Sequence, residues 1–254
     1  SDFTVAGFTV SSASETSAGV VTIIVAESGS VDTDALPLVS VVASVESTDG
    51  GELTSDSVTA TDAASPVAST FVYKDTDADG DIDRIDITFS ENIAYDECEA
   101  GDFTFAGADA GSFAVSSCAT SGDDLQLTVT GGPSDTTNVT ITLAYTASNG
   151  TASSLDDSAG SAVADISATA VTDGAAPKST GTQSYKDTDL DGKVDRVDIT
   201  FSEDIAIDEC EAGDYTIGGA DAGTIAVASC AASSADLQLT ISNAPSADTL
   251  LTFT

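Results

Sequence analysis

A twelve-residue segment occurs twice in this chain. The first copy is Asp75-Thr76-Asp77-Ala78-Asp79-Gly80-Asp81-Ile82-Asp83-Arg84-Ile85-Asp86. The second is Asp187-Thr188-Asp189-Leu190-Asp191-Gly192-Lys193-Val194-Asp195-Arg196-Val197-Asp198. Carboxylates stand at positions 1, 3, 5, 9 and 12, with glycine at 6. That is the ligand spacing of an EF-hand-type calcium loop. A hard cation takes about six to eight oxygens around one point, so the backbone must curl while alternate side chains turn inward. Glycine permits the sharp bend. The expected ligands are Asp75, Asp77, Asp79, Asp83 and Asp86 with the Asp81 carbonyl, and Asp187, Asp189, Asp191, Asp195 and Asp198 with the Lys193 carbonyl. The expected ion is Ca2+. Five carboxylates exceed the charge one ion needs, so one is expected to turn to a second ion or to Arg84. A solvated acidic turn is the plain alternative, and repetition of the same five carboxylates argues against accident.

The residues after the loop rule out an exiting helix. Arg84-Ile85-Asp86-Ile87-Thr88-Phe89-Ser90 alternates polar with apolar, and Val197, Ile199 and Phe201 repeat the pattern. Such alternation predicts a half-buried β-strand. The loop is therefore a clasp between two strands, structural in role, with nothing to swing open as a sensor does. Position 12 is Asp where helix-loop-helix sensors carry a bidentate Glu. In that departure the loop resembles those of dockerins and thrombospondin type 3 repeats.

The whole chain is built from one repeating unit. Tyr73-Lys74-Asp75 returns at Tyr185-Lys186-Asp187, a shift of 185 − 73 = 112. The match runs on through Asp96–Asp102 against Asp208–Asp214 and Asp124–Thr128 against Asp236–Thr240. A weaker third copy begins the chain: Asp2-Phe3-Thr4-Val5-Ala6-Gly7 is similar to Asp102-Phe103-Thr104-Phe105-Ala106-Gly107. The expected divisions are 1–66, the back part of one unit; 67–177, a complete unit; and 178–254, the front part of a third. With no methionine, Ser1 is not expected to be a translation start. The expectation is a window of a longer polymer, or a processed subunit. In the complete unit, strands are expected near 69–74, 84–90, 103–106, 112–118, 124–130, 138–145 and 164–172, separated by Gly, Ser, Asp and Asn turns. Thr, Val and Ile enrichment without helical periodicity suits strands. The fold class is all-β, with tandem immunoglobulin-like β-sandwiches and the calcium loop between the first two strands of each repeat. Phe89, Phe103, Leu125, Leu127, Val129, Ile141 and Leu143 are the expected core.

Ile87-Thr88-Phe89-Ser90-Glu91-Asn92-Ile93 and Ile199-Thr200-Phe201-Ser202-Glu203-Asp204-Ile205 resemble the "ITFSE" strand of bacterial Ig-like repeats of S-layer proteins and large surface adhesins. Leu143-Ala144-Tyr145, followed by Leu155-Asp156-Asp157-Ser158-Ala159-Gly160, resembles a later strand of that family and its "D-x-A-G-N" turn, with Ser161 where Asn is usual. Asp62–Pro66 and Asp173–Pro177 resemble its linkers. The resemblance implies an extracellular, cell-surface scaffold of tandem modules. Function does not follow from such a fold alone.

Acids outnumber bases 43 to 6, a formal charge of −37. Such a surface repels nucleic acid and anionic lipid, and resists compaction unless cations screen it. No apolar run approaches the roughly 20 residues of a membrane span. The four cysteines have one spacing, 118 − 98 = 20 and 230 − 210 = 20. With no His present, zinc and thiol catalysis are disfavoured. Disulfides Cys98–Cys118 and Cys210–Cys230 and an oxidising compartment are expected, with free buried cysteines as the alternative. Asn138 and Asn149 head glycosylation sequons.

The sequence therefore points to a structural repeat segment of a calcium-stiffened extracellular filament, stalk or adhesin. Its expected partners are other copies of the chain or further repeats. A module binding surface glycans or protein is the alternative; with no Trp, the chain lacks the best sugar-stacking residue. A role as accessory domain of a secreted enzyme is remote, and no catalytic activity is expected: His, a nucleophile motif and a phosphate loop are missing. The clasp is expected to lie at the domain end that meets the preceding unit, where Asp62 and Asp173, or Glu91 and Glu203, would add oxygens.

Overall fold

The computed structural model describes residues 2–26, 29, 32–42, 45–95, 99–133, 139–147, 155–207, 209, 211–218, 225–243, 252 and 253. The protein is all-β. Among the described residues the only helical turns are the short 3-10 segments Ala100–Asp102 and Ala212–Asp214, and no helix is long and apolar enough to cross a membrane.

Residues 67–177 form two sheets around one core. The larger runs in the order Ala114–Ser121, Asp124–Thr130, Arg84–Phe89, Ala68–Lys74, Thr172–Asp173. Its pairs are antiparallel except the last, in which Thr172–Asp173 runs parallel to Ala68–Lys74. The facing layer holds Phe103–Ala106, Thr142–Tyr145 and Ile166–Ala170, with a two-stranded piece of Ile93–Tyr95 and Leu155–Asp157. Alternation explains the packing, because residues two apart share a face. Ile85, Ile87, Leu125, Leu127 and Leu143 have no exposed surface, and Tyr73, Ile141 and Tyr145 are equally enclosed. All seven residues expected in the core are buried. Phe103 and Tyr145 pack ring to ring at 5.4 Å.

The same design returns on either side. Ser179–Lys186, Arg196–Phe201, Asp236–Ser242 and Ala226–Ser233 make a four-stranded sheet with Leu239 and Val197 at its centre. Lys186 pairs with Arg196 as Lys74 pairs with Arg84. Near the start, Phe3–Val5, Leu38–Val41 and Asp56–Thr59 form a three-stranded sheet. Val10–Ser17 and Val20–Val25 form a hairpin beside it. This part is far more open: Val20, Ile24, Leu38 and Val58 are exposed.

Direction along the sheet fixes where each loop lies. Ala68–Lys74 starts at the junction with residues 1–66 and carries the chain to the opposite end before the 75–83 loop turns back. The loop therefore faces the following unit: Lys178, just past the second linker, lies over Gly80. The expectation that the clasp meets the preceding unit is corrected by this topology. The segment that does meet the preceding unit is the far end of Arg84–Phe89, where the Thr33 and Ser90 hydroxyls share a hydrogen bond.

Candidate metal centre

Each acidic loop spans a two-stranded hairpin, and the last paired residues before it, Lys74 with Arg84 and Lys186 with Arg196, fix its ends. Within the first loop, the amides of Asp79 and Gly80 donate to the Asp75 carboxylate at 3.1 and 2.8 Å. The Asp81 amide donates to Asp79 at 2.9 Å. Asp83 accepts from the Thr76 amide at 2.9 Å and from the Thr76 hydroxyl. The second loop repeats the scheme: Asp191 and Gly192 donate to Asp187, Lys193 to Asp191, and Thr188 to Asp195. Gly80 and Gly192 both sit at positive φ, +96° and +87°, which accounts for glycine at position 6. Position 4 is also left-handed, at Ala78 (57°) and Leu190 (61°). Sequence reading gave no sign of that.

Oxygen atoms of Asp75, Asp77 and Asp83 lie within 4.8 Å of one another, as do those of Asp187, Asp189 and Asp191. Crowding has a visible consequence. The Asp77 carboxyl is raised by desolvation and then by the charges of Asp79, Asp83 and Asp75, against a backbone hydrogen bond. Asp195 is instead lowered, chiefly by the Thr188 hydroxyl and amide. A cation of oxygen-preferring type would relieve the repulsion in either loop.

Asp86 and Asp198 do not join these clusters. They lie in the strands, with Asp86 6% exposed and Asp198 3%. The Arg84 guanidinium grips Asp86 with Nε at 2.8 Å and Nη2 at 3.1 Å, and Lys74 adds a contact at 2.7 Å. Arg196 and Lys186 hold Asp198 in the same way. Asp86 is thus a carboxylate that turns to Arg84. Lys193 at position 7 folds its ammonium back to Asp191 at 3.2 Å.

A third acidic group lies at the first junction: Asp62, Glu91 and Asp157, again within 4.8 Å. The linker acid and Glu91 were legible as junction acids. Asp157 is 157 − 91 = 66 residues beyond Glu91 and arrives because Leu155–Asp157 pairs with Ile93–Tyr95. The signal that could have found it is the Asp157–Gly160 turn. Ala159 and Ser161 amides donate to one Asp157 oxygen at 2.7 and 2.8 Å, and the turn thereby aims the other oxygen away.

Neither Cys118 nor Cys230 is a free cysteine. Cys98, Cys210, Asn138 and Asn149 lie outside the described residues. Comparison with protein-family models, with curated proteins and with solved structures finds no match to this chain.

Proposed function

We propose that this chain is a segment of tandem Ig-like sandwiches in an extracellular filament, stalk or surface adhesin, stiffened by calcium in the repeated loops. The observation that carries the reading is the likeness of the two loops in structure as well as sequence. Both cap equivalent hairpins, and both carry the same amide-to-carboxylate hydrogen bonds. A repeated, exposed acidic turn at one end of each repeat suits a structural ion. The proposed ligands are Asp75, Asp77, Asp79 and Asp83 with the Asp81 carbonyl, and Asp187, Asp189, Asp191 and Asp195 with the Lys193 carbonyl. Disulfides Cys98–Cys118 and Cys210–Cys230 would brace each repeat and suit a compartment outside the cell. The formal charge of −37 makes a metal-free string of such modules self-repelling.

Small-angle scattering with and without a chelator, beside calcium calorimetry, tests the reading. Calcium should bind with a Kd between about 10⁻⁶ and 10⁻³ M, as at extracellular sites, and should change the maximum dimension. Binding without any change in dimension would refute stiffening; no binding at millimolar calcium would refute the metal.

A further inference from the structure

We infer that Asp62, Glu91 and Asp157 form a separate calcium site that ties the first repeat to the second. The inference rests on the calcium-dependent reading above but concerns a different place in the fold. Asp62 belongs to the linker that ends the first repeat. Glu91 follows the Arg84–Phe89 strand, and Asp157 ends a strand of the facing layer. The linker and both layers of the second repeat thus bring one carboxylate each to a single point.

Three features separate this group from a chance meeting of acids. First, the two acids of the second repeat are enclosed: Glu91 is 5% exposed and Asp157 3%. Glu91 Oε1 and Asp157 Oδ2 have no hydrogen-bond partner. A buried carboxylate oxygen left unpaired is costly. Second, the side-chain cations that could compensate lie elsewhere. Lys74 and Arg84 hold Asp86, Lys186 and Arg196 hold Asp198, Lys193 holds Asp191, and Lys178 lies at Gly80. Those six are all the lysines and arginines of the chain. Third, the site opens on a cleft of about 580 Å³ between the repeats, which Asp34 and Thr61 also line. That leaves room for further oxygens, from side chains or water.

The dimensions suit the ion. Metal–oxygen distances of about 2.3–2.6 Å place opposite ligands about 5 Å apart, and the three carboxylates lie within 4.8 Å. The donor set is oxygen only, which favours calcium over zinc or copper. Burial raises the Glu91 carboxyl, and the charges of Asp62, Asp157 and Asp34 act in the same direction, against a hydrogen bond from Thr33. Thr33 already joins the first repeat to Ser90, so an ion here would reinforce an existing contact. It would also fix the angle between the repeats, because its ligands come from both sides. A metal in the 75–83 loop alone has no such lever on this junction.

The test is calcium titration of the whole chain, followed by calorimetry and scattering, in wild type and three variants. Wild type should bind three ions, two in the loops and one at the junction. Glu91→Gln, of nearly the same shape, should remove one ion or weaken it at least tenfold, and should abolish the calcium-dependent change in maximum dimension contributed by this junction. Asp62→Asn lies on the linker, outside the packed core, and should do the same without disturbing folding. Asp75→Asn combined with Asp187→Asn should weaken the two loop sites and leave one ion bound. The inference is overturned if Glu91→Gln and Asp62→Asn bind calcium as wild type does. It is overturned equally if the loop double variant binds none. A wild type that binds one ion only, removed by Glu91→Gln and kept in the loop double variant, would instead refute the loop assignment and leave this site standing.

Discussion

The Lys74 ammonium lies 2.7 Å from the Asp86 carboxylate, and Lys186 meets Asp198 in the same way one repeat later. With the arginine fork on its other side, each aspartate closes a three-membered ion group at the root of its loop. Asp86→Ala should therefore destabilise the second repeat. Breaking a fully buried pair costs several kcal/mol; Lys74 and Arg84 remain 37% and 29% exposed, so about 2 kcal/mol is expected. Calcium affinity of the 75–83 loop should change less than threefold. Chemical denaturation and calorimetry on the same sample separate the two effects. A loss of affinity equal to that of Asp75→Asn would make Asp86 a ligand after all.

Leu190 stands at φ 61° with 86% of its surface exposed. A left-handed backbone is unfavourable for a side chain with a Cβ, and exposure gives Leu190 nothing in return. Asn tolerates that conformation far better. Leu190→Asn should stabilise the third repeat by about 0.5–1 kcal/mol and tighten calcium binding at the 187–198 loop by two- to fivefold through preorganisation. Gly192→Ala should do the reverse: its added Cβ meets no atom within 4 Å, so the whole effect is backbone strain. Equal affinities for both variants would show that the loop's shape is not preset.

Period-two alternation made the long strands legible. Asp124–Thr130 and Phe103–Ala106 fall where expected, and Arg84–Phe89 and Ala68–Lys74 differ by one residue at one end. The short pieces Ile93–Tyr95, Leu155–Asp157 and Thr172–Asp173 were not legible. At two or three residues no period can be seen, and their existence depends on pairing partners distant in sequence. The site shows the same division. Loop ligands are local and announce themselves by spacing. Asp157 is placed by a long-range pair, and the end of the sheet on which each loop falls follows from strand direction.

Tyr145 is 1% exposed, and its hydroxyl accepts the Leu155 amide at 3.0 Å in a buried setting. The bond ties Thr142–Tyr145 to the strand that carries Asp157. Tyr145→Phe keeps the ring against Phe103 and removes only the acceptor, leaving the amide unsatisfied. A loss of about 1–2 kcal/mol is expected, read from the denaturation midpoint. Because Asp157 is positioned from the same strand, amide exchange at residues 155–161 should quicken in the variant. Unchanged exchange would confine the role of Tyr145 to packing.

The cysteine pairing is open to a direct measurement. Cys118 lies opposite Leu127 and Cys230 opposite Leu239, at the same register of equivalent hairpins. Neither is free. The strand Ile93–Tyr95, which ends three residues before Cys98, packs beside Ala114–Ser121, which carries Cys118. A Cys98–Cys118 bond would therefore link neighbouring segments of one repeat, and Cys210–Cys230 would do so in the next. Peptide mapping without reduction should recover those two pairs; a Cys98–Cys210 crosslink would overturn the assignment. Each bond closes a loop of about 20 residues, for which the chain-entropy model gives a contribution of about 3 kcal/mol. Reduction should accordingly lower the midpoints of both repeats by similar amounts. Calcium binding at the 75–83 and 187–198 loops should survive reduction, because the ligands of each loop are positioned by the hairpin it spans.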